Sequence, residues 1–518
     1  MKLDRTKNSF NNMIWGAINR IATMIGPFVV QTVIIRILGM EYIGLTGLFS
    51  SVLNVLNLAE MGVGTAIVYS MYKAIAENDT DVICALLAFY KKMYRIIGFI
   101  ILTVGVVTLV FIKRICPEEL PGELNIYIIY LICLVNVIIS YNFYAYQQSV
   151  LNAIQQASII DRTKVSVSCV MYAIQVVLLI AFKNYYLYVA TLPFQTILTN
   201  LILFKISKRM YPEYMPRGTI GVDEKDEIVR KTKALFFYRL GATVLVSVDG
   251  IVISATLGLH ILGQYNSYYY IVNSLTGFIV ILFNSMTAGI GNSIVVESVE
   301  KNRNDFFSMF FWFRWLMGWM ATSLLCLYNP FMKLWIGEKE MFPNGVMICF
   351  VVFFYFMQIG SVINVYKEAG GLWEYDKWRP LIASIINLAL NISFVKQIGI
   401  YAILLSTIVT IMIIILPWSI LITFRHYFSS GLKDYVIMLI QGFLCTFLVS
   451  FITYCVCGAI KIDGIWGLII RLIICIFPVN LFYYVLFFKT KYYSSARIWI
   501  SNKLRRLLSG CFVLKNEN

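Results

Sequence analysis

The sequence predicts an all-α polytopic membrane protein with fourteen transmembrane helices, arranged as two six-helix lobes and two further C-terminal helices. Two observations predict this class. First, the 518 residues are 59% hydrophobic and 14% charged, with a mean hydropathy of +0.77, which lies far outside the range of soluble proteins. Second, apolar runs of about 18 or more residues recur along the chain, and this length crosses ~30 Å of hydrocarbon. A weak internal repeat relates the two lobes.

The predicted spans follow one another with short connectors. They cover residues 13–38, 42–71, 82–112, 124–146, 165–182, 185–204, 234–259, 265–295, 306–328, 346–366, 381–395, 400–424, 435–459 and 465–488. We divide the chain into a first lobe (1–204), a cytoplasmic linker (205–233), a second lobe (234–424), helices 13 and 14 (425–488) and a basic cytoplasmic tail (489–518). The first apolar run has no small-residue cleavage site, so we expect a retained span and not a signal peptide. The tail is expected to lie as an amphipathic helix on the anionic inner leaflet.

The internal repeat aligns residues 20–57 with residues 239–276 at a fixed offset of 219, with nine identities in 38 positions. Arg20 aligns with Arg239, and each arginine precedes a Leu-Gly-x4-Gly sequence that begins at Leu38 or Leu257. Each lobe contains an even number of spans, so both lobes have the same orientation. The symmetry axis is therefore expected to lie along the membrane normal.

The distribution of basic residues predicts the orientation of the chain. With the N-terminus inside, the cytoplasmic segments contain 28 Lys and Arg residues, the outer loops contain seven, and eight lie within spans. This asymmetry follows the positive-inside rule, so both termini are expected to be cytoplasmic. The net charge of +16 comes from these connectors, and no nucleic-acid partner is expected.

Basic residues inside the spans are candidates for binding an anionic substrate. Arg20 and Arg239 would lie at equal depth on either side of the axis, where two guanidinium groups suit a phosphate or diphosphate. The further candidates are Lys91, Lys92, Arg95, Arg314 and Arg36. The alternative for each residue is a side chain that reaches the headgroups, because an arginine in hydrocarbon is costly.

Acidic and amide residues inside the spans are candidates for binding a coupling ion. Asp249 and Glu60 are intramembrane carboxylates, and Asp249 aligns with Val30, so its charge belongs to the second half alone. The side chains of Asn387, Asn391 and Thr410 add oxygen atoms from spans eleven and twelve. These carboxylates can balance an arginine, carry a proton or bind Na⁺, and the sequence leaves these alternatives open.

No pattern of a soluble catalytic site is present. The chain has no Gly-x4-Gly-Lys-Ser/Thr sequence, and its two histidines, His260 and His426, lie far apart in the sequence. The eleven cysteines show no metal-ligand spacing, and nearly all lie within spans, where Cys behaves as a small apolar residue. We therefore expect neither enzymatic activity nor a cofactor.

Three short sequences carry a resemblance to a known family. Residues 366–380 read Tyr-Lys-Glu-Ala-Gly-Gly-Leu-Trp-Glu-Tyr-Asp-Lys-Trp-Arg-Pro. Leu-Trp-Ile-Gly precedes span ten at residues 334–337, and Ala-Glu-Met-Gly-Val-Gly-Thr-Ala occupies residues 59–66. In order and placement these sequences resemble the polysaccharide transporter (Wzx-like) family of the multidrug/oligosaccharidyl-lipid/polysaccharide (MOP) exporter superfamily, and the resemblance extends over nearly the whole chain.

The resemblance implies a flippase that moves undecaprenyl-diphosphate-linked oligosaccharide units to the outer leaflet of a bacterial cytoplasmic membrane by alternating access. Its expected partners are this lipid-linked oligosaccharide, membrane lipids and polysaccharide assembly proteins. Related lipid II flippases use arginines near the first span and a Na⁺ site on spans seven, eleven and twelve, which Asp249, Asn387, Asn391 and Thr410 match in kind. The alternatives are another carrier of this superfamily, either a lipid II or teichoic-precursor flippase or a drug/cation antiporter, and thirdly a membrane glycan polymerase or ligase.

Overall fold

The computed structural model describes residues 5–57, 63–118, 120–122, 124–490, 493–498 and 501, and this part of the chain is helical with no strand. The helices are α1 (Arg5–Ile37), α2 (Met40–Leu56), α3 (Val63–Glu77), α4 (Thr80–Ile115), α5 (Ile126–Asn142), α6 (Gln148–Ala153), α7 (Ala157–Phe182), α8 (Tyr185–Met210), α9 (Val222–Leu257), α10 (Leu259–Val296), α11 (Val299–Trp335), α12 (Asn344–Ile359), α13 (Ser361–Ala369), α14 (Trp373–Asp376), α15 (Arg379–Ile398), α16 (Ile400–Thr410), α17 (Leu416–Thr423), α18 (Leu432–Gly458) and α19 (Gly464–Phe487). Short π-helical segments, Ile411–Ile415 and Phe424–Phe428, follow α16 and α17.

The helices agree with the predicted class. Within the described residues, twelve helices are long and apolar enough to cross a membrane, and the bent pair Ile126–Asn142 and Ala145–Ala153 forms a thirteenth candidate. The shorter apolar helix Met40–Leu56 overlaps the remaining predicted span at 42–71, whose last part belongs to α3. The protein is a multi-pass α-helical membrane protein, and its helices are compatible with fourteen spans.

Two elements differ from the sequence-based expectation. Residues 205–210 continue α8 and residues 222–233 begin α9, so only residues 211–221 of the predicted linker are non-helical. The charged run at 223–227 lies in the first turns of α9. The predicted fourth span is not one straight helix, because Tyr144 adopts a left-handed conformation (φ 56°) between its two parts.

Two compact units divide the chain. The first contains Met1–Ser267 and Pro380–Ile403, and the second contains Tyr268–Arg379 and Leu404–Asn518. The first unit therefore includes α1 to α9, the beginning of α10 and nearly all of α15.

The internal repeat has a direct structural counterpart inside the first unit. In both copies the Leu-Gly sequence ends one helix and begins the next, with positive φ angles at Gly39 (123°) and Gly258 (91°). A side chain rarely adopts this conformation, which explains glycine at both positions. Three pairs of repeat equivalents, each 219 positions apart, contact one another: Glu41 with His260, Gly44 with Gly263, and Gly47 with Asn266.

These contacts locate the symmetry axis of the repeat. A residue meets its own equivalent only next to a two-fold axis, so the axis passes between α2 and the first turns of α10. The approach is closest at the glycines: a Cβ atom on Gly44 would overlap the carbonyl of Leu259, and one on Gly263 would overlap the carbonyl of Met40. Near the end of the crossing, His260 Nδ1 lies 2.9 Å from Glu41 Oε1.

We predict that Gly44→Ala destabilises the protein by about 1–3 kcal/mol, because the added methyl group would force two backbones apart. The apparent melting temperature of detergent-solubilised protein, measured by size-exclusion chromatography after heating, should fall for Gly44→Ala and for Gly263→Ala. Gly289→Ala is the matched control, since a Cβ atom on this helical glycine meets nothing within 4 Å. Wild-type melting of both axis variants would contradict the proposed crossing.

Candidate functional site

Asp249 on α9 forms a buried polar network with two amides of α15. Asn391 donates from Nδ2 to Asp249 Oδ1 at 2.8 Å and to Asn387 Oδ1 at 3.2 Å. Asp249 is 6% exposed, and both asparagines are fully buried. Asn387 and Asn391 lie one helical turn apart, so both reach the same point of α9. The structure therefore brings together three of the predicted ion-coupling residues.

The network offers oxygen atoms for a small cation. Asn391 Oδ1 is buried and has no hydrogen-bond partner among the described residues. A buried acceptor without a donor costs free energy, and a bound cation would satisfy it. Together with the carboxylate of Asp249, the amide oxygens form the hard oxygen ligand set that alkali and alkaline-earth ions prefer.

Thr410, another predicted residue of the coupling group, belongs to the second unit. It is fully buried, and its hydroxyl donates to the carbonyl of Ser406 at 2.7 Å. The π-helical segment begins at the next residue, Ile411. π-Helical turns inside membrane helices frequently accompany functional sites, because they shift the register of the side chains that follow.

A second candidate feature is a polar cavity of about 840 Å³ in the first unit. Each described residue that lines it is uncharged. Five tyrosines contribute to the wall, and these are Tyr69, Tyr72, Tyr90, Tyr94 and Tyr141. The amides and hydroxyls of the wall are those of Asn12, Gln148, Asn152, Gln155, Ser140 and Ser149. The volume falls within the usual range of small-molecule sites.

The cavity lies at the break in the fourth predicted span. The two parts of this span meet at 46°, and the wall takes Tyr141 from α5 and Gln148 from α6. Gln155, two residues after the second part, has a left-handed conformation (φ 63°) like that of Tyr144. Discontinuous helices in transporters commonly form the substrate site, because irregular backbone is tolerated where it lines a polar cavity.

The tyrosine rings of the wall hold one another in place. The Tyr90 and Tyr94 rings are 4.3 Å apart, and their hydroxyls are separated by 2.5 Å. Tyr94 packs edge-on against Tyr141, whose hydroxyl donates to Asn57 at 3.1 Å. The Tyr69 and Tyr72 rings also meet edge-on, with their centres 6.5 Å apart, and these two tyrosines are 62% and 45% exposed.

Predicted basic residues flank this wall on α4. The Lys91 ammonium lies 5.6 Å from the centre of the Tyr146 ring, in cation–π contact. Lys92 and Arg95 are exposed. Their neighbours Tyr90 and Tyr94 are buried against the cavity, so the cationic and aromatic faces of α4 adjoin each other.

The remaining arginine candidates have different environments. Arg20 is half-buried on α1, whereas Arg239 on α9 and Arg36 at the end of α1 are exposed. Arg239 stands at the first residue of the apolar part of α9. The structure thus keeps Arg20 and Arg239 on repeat-equivalent helices, and their joint action on a diphosphate stays a prediction.

Arg314 does not belong with these residues. It is 4% exposed, and its Nη1 donates to the carbonyl of Met438 at 2.8 Å. The guanidinium lies 4.9 Å from the Phe311 ring and 4.7 Å from the Phe487 ring. These contacts place the guanidinium within the packing of α11, α18 and α19, so we leave Arg314 out of the substrate site.

The family-like sequence at 366–380 folds around a buried ion cluster. Asp376 accepts from Lys367 Nζ at 2.5 Å and from Arg379 at 2.6 and 2.9 Å. The three residues are at most 7% exposed in their side chains. A buried carboxylate that neutralises two cations is costly to remove, and the cluster fixes the turn between α13 and α15.

Other predicted residues contribute little to these sites. Glu60 and most of the tail at 489–518 lie outside the described residues. His260 contacts Glu41, and His426 stacks on Tyr375 at 3.9 Å between ring centres. Cys116 is buried, and burial raises the pKa of its thiol to about 11, which makes it a poor nucleophile.

Sequence reasoning missed the tyrosine cavity. Its signal is present in the chain: Tyr69 and Tyr72 are three residues apart, and Tyr90 and Tyr94 are four apart. Such spacings place two rings on one helical face. With 33 tyrosines in the chain, this pattern alone does not show which faces meet.

Several solved structures have a fold similar to that of this chain. The lipid II flippase MurJ in an inward closed conformation matches with a TM-score of 0.62 at 13% identity, over 92% of this chain and 98% of the flippase. An inward-facing multidrug resistance MATE transporter of the MOP superfamily gives 0.60 at 13% identity, over 81% and 99%. A MOP superfamily transporter from Pyrococcus furiosus, described as having a binding pocket of reverse polarity, gives 0.52 at 14% identity, over 82% and 96%. The chain thus has the fold of MOP superfamily transporters.

The family model described as polysaccharide biosynthesis protein matches residues 9–287. This match covers more than half of the chain, so the protein belongs to that family. A search of curated protein sequences finds no match. The family and the fold together confirm the resemblance seen in the sequence.

Proposed function

We propose that this protein is a flippase for undecaprenyl-diphosphate-linked oligosaccharide units in surface polysaccharide assembly. It acts in the cytoplasmic membrane of a bacterium, with both termini in the cytoplasm, and moves the lipid-linked unit to the outer leaflet by alternating access. The observation that carries the proposal is the uncharged, tyrosine-lined cavity at a broken helix in a member of a polysaccharide biosynthesis family.

The chemistry of the cavity matches a saccharide. Sugar rings present apolar C–H faces, which pack on tyrosine rings, and hydroxyl groups, which exchange hydrogen bonds with amides and hydroxyls. The described wall supplies both kinds of group and no charged side chain. A carrier of organic cations would instead require acidic groups at its cargo, so the wall favours a glycan over a cationic drug.

The basic residues are proposed to recognise the diphosphate of the lipid-linked unit. Lys91, Lys92 and Arg95 adjoin the cavity wall on α4, and Arg20 lies on α1, which also contributes Asn12 to the wall. A lipid-linked unit carries its negative charge on the diphosphate between lipid and sugar. In this proposal the cavity receives sugars, and these residues with Arg239 bind the diphosphate.

The Asp249 network is the proposed site of ion coupling. Either Na⁺ or a proton bound at Asp249 would neutralise a buried carboxylate, and its release would restore the charge. Because Asn387 and Asn391 come from a different helix, occupancy of this site changes how α9 and α15 attract one another. Such a contact can couple an ion gradient to a change of conformation.

A strain lacking the gene tests the function directly. We expect surface polysaccharide to be lost and lipid-linked repeat units to accumulate on the inner leaflet, and both effects should reverse with the wild-type gene. Extracted lipid-linked oligosaccharide and cell-surface polymer are the quantities to measure. Normal polymer without accumulation of the lipid-linked unit would refute the flippase proposal.

For the cavity, we expect Tyr69→Ala combined with Tyr72→Ala to reduce polymer export about tenfold, since two lost ring contacts of ~0.5–1.5 kcal/mol each weaken sugar binding. The matched control is Tyr484→Ala on α19, whose tyrosine is 45% exposed, as is Tyr72. Protein levels in the membrane should be equal in all strains. Full export by the double variant would exclude these tyrosines from glycan recognition.

For the coupling site, we expect Asp249→Asn to fold normally, because an amide oxygen still accepts from Asn391. Ligand binding to the folded state raises stability by ~2.7 kcal/mol at a hundredfold excess over the dissociation constant. The wild-type melting temperature should therefore depend on Na⁺ or on pH, and the variant should lose this dependence. Asp161→Asn is the control, since Asp161 accepts from Asn19 at 2.9 Å in a similar pair. An unchanged response in Asp249→Asn would contradict ion binding there.

A further inference from the structure

Three cysteines from three helices converge in the second unit. Cys326 on α11, Cys457 on α18 and Cys475 on α19 are each at most 3% exposed. Their sulfur atoms all lie within 4.8 Å of one another, and this is the only such group of potential metal ligands among the described residues. The sequence pattern did not reveal it, because 131 and 18 positions separate the three residues along the chain.

We propose that this cluster is a structural metal site for a thiophilic divalent cation of the zinc class. Thiolate ligands select soft or borderline ions over Mg²⁺, Ca²⁺ or Na⁺. Zinc–thiolate bonds of ~2.3 Å place the sulfurs of a tetrahedral site about 3.8 Å apart. Movements of a few tenths of an ångström per side chain would bring the sulfurs from their observed spacing to this one.

The surroundings of the cluster favour a charged metal complex. Arg471 lies one turn before Cys475 on α19, and its guanidinium donates to the carbonyls of Cys457, Ile460 and Ile462 at 3.4, 2.7 and 3.3 Å. The guanidinium is thus held at the end of α18, at the backbone carbonyl of Cys457. Three thiolates and one divalent cation carry a net charge of −1, which Arg471 offsets. A monovalent copper ion would leave −2 and is less well matched.

A fourth polar atom is available at the same place. Ser323 lies one turn before Cys326 on α11, and its buried hydroxyl lies beside the Cys475 thiol. Zinc usually has four ligands, so this oxygen, or a water that it holds, completes a tetrahedral set.

Binding would tie the two C-terminal helices to the rest of the unit. Helices α18 and α19 have no counterpart in the internal repeat, and both pack on α11. On binding, the three thiols release three protons to solvent and form three metal–sulfur bonds, with no change of oxidation state. One ion would then bridge α11, α18 and α19, independently of any transported cargo.

The test uses the full chain, purified in detergent under reducing conditions and titrated with Zn²⁺ and, separately, Cd²⁺. We expect one ion per chain, a thiolate-to-cadmium charge-transfer band, and a melting temperature that chelators lower. Cys475→Ala should weaken binding at least tenfold. Cys133→Ala, which removes a buried cysteine outside the cluster, should bind like the wild type.

Three results would overturn the proposal. The first is zinc and cadmium content in the wild type no higher than in Cys475→Ala. The second is stoichiometric binding of Cu⁺ with no binding of Zn²⁺. The third is a disulfide between two of the three cysteines, detected by mass spectrometry of the protein as isolated. If Cys475→Ala does not fold, wild-type protein stripped of metal by a chelator serves as the comparison. This stripped protein should regain the charge-transfer band when Cd²⁺ is added, and its failure to do so would also overturn the proposal.

Discussion

The close crossing of α2 and α10 is the constraint on which the first unit depends. Backbone meets backbone at Gly44 and Gly263, where no side chain has room. Small residues permit such approach in membranes, where helices associate by packing and not by the hydrophobic effect. Because the crossing lies on the symmetry axis of the repeat, Gly44 and Gly263 occupy equivalent positions in the two copies, and each permits the same close approach of two backbones. This geometry explains why glycine stands at this position in both copies, which are identical at nine of 38 positions.

Away from the axis the two copies have diverged in function. Val30 in the first copy aligns with Asp249 in the second, and only Asp249 meets the asparagines of α15. The polar cavity, in contrast, is built from α1 and from α3 to α7, all within the predicted first lobe. In the proposed flippase the predicted first lobe therefore provides sugar contacts and the predicted second lobe provides the coupling carboxylate, while arginines occur in both.

Buried charges have three different roles in this protein. Asp376 neutralises Lys367 and Arg379 and so fixes a turn, and Arg314 packs between aromatic rings and a carbonyl. Asp249 has amide partners, and a buried oxygen beside it lacks a donor. An intramembrane charge is thus a structural residue where its partners are complete. It is a functional candidate where an oxygen remains for an ion.

Much of the architecture could be predicted from the sequence because hydropathy and repeat spacing can be read directly from the order of the residues. Span positions follow from apolar runs, and the offset of 219 aligned Gly44 with Gly263. That these two glycines meet on the axis became visible only in the structure. Asp249, Asn387 and Asn391 could be grouped because oxygen-bearing side chains inside spans are candidates for an ion site.

Only the tertiary structure decided how separate helices face one another. The cavity requires tyrosines from α3, α4 and α5 to converge at a bend, and the cysteine cluster requires three helices to meet. The sequence shows that Arg314 lies inside a predicted span, and this placed it with the substrate residues. The sequence does not show the direction in which its side chain points. Helical periodicity shows which residues share a face, but packing determines what that face meets, and packing depends on contacts between residues far apart in the chain.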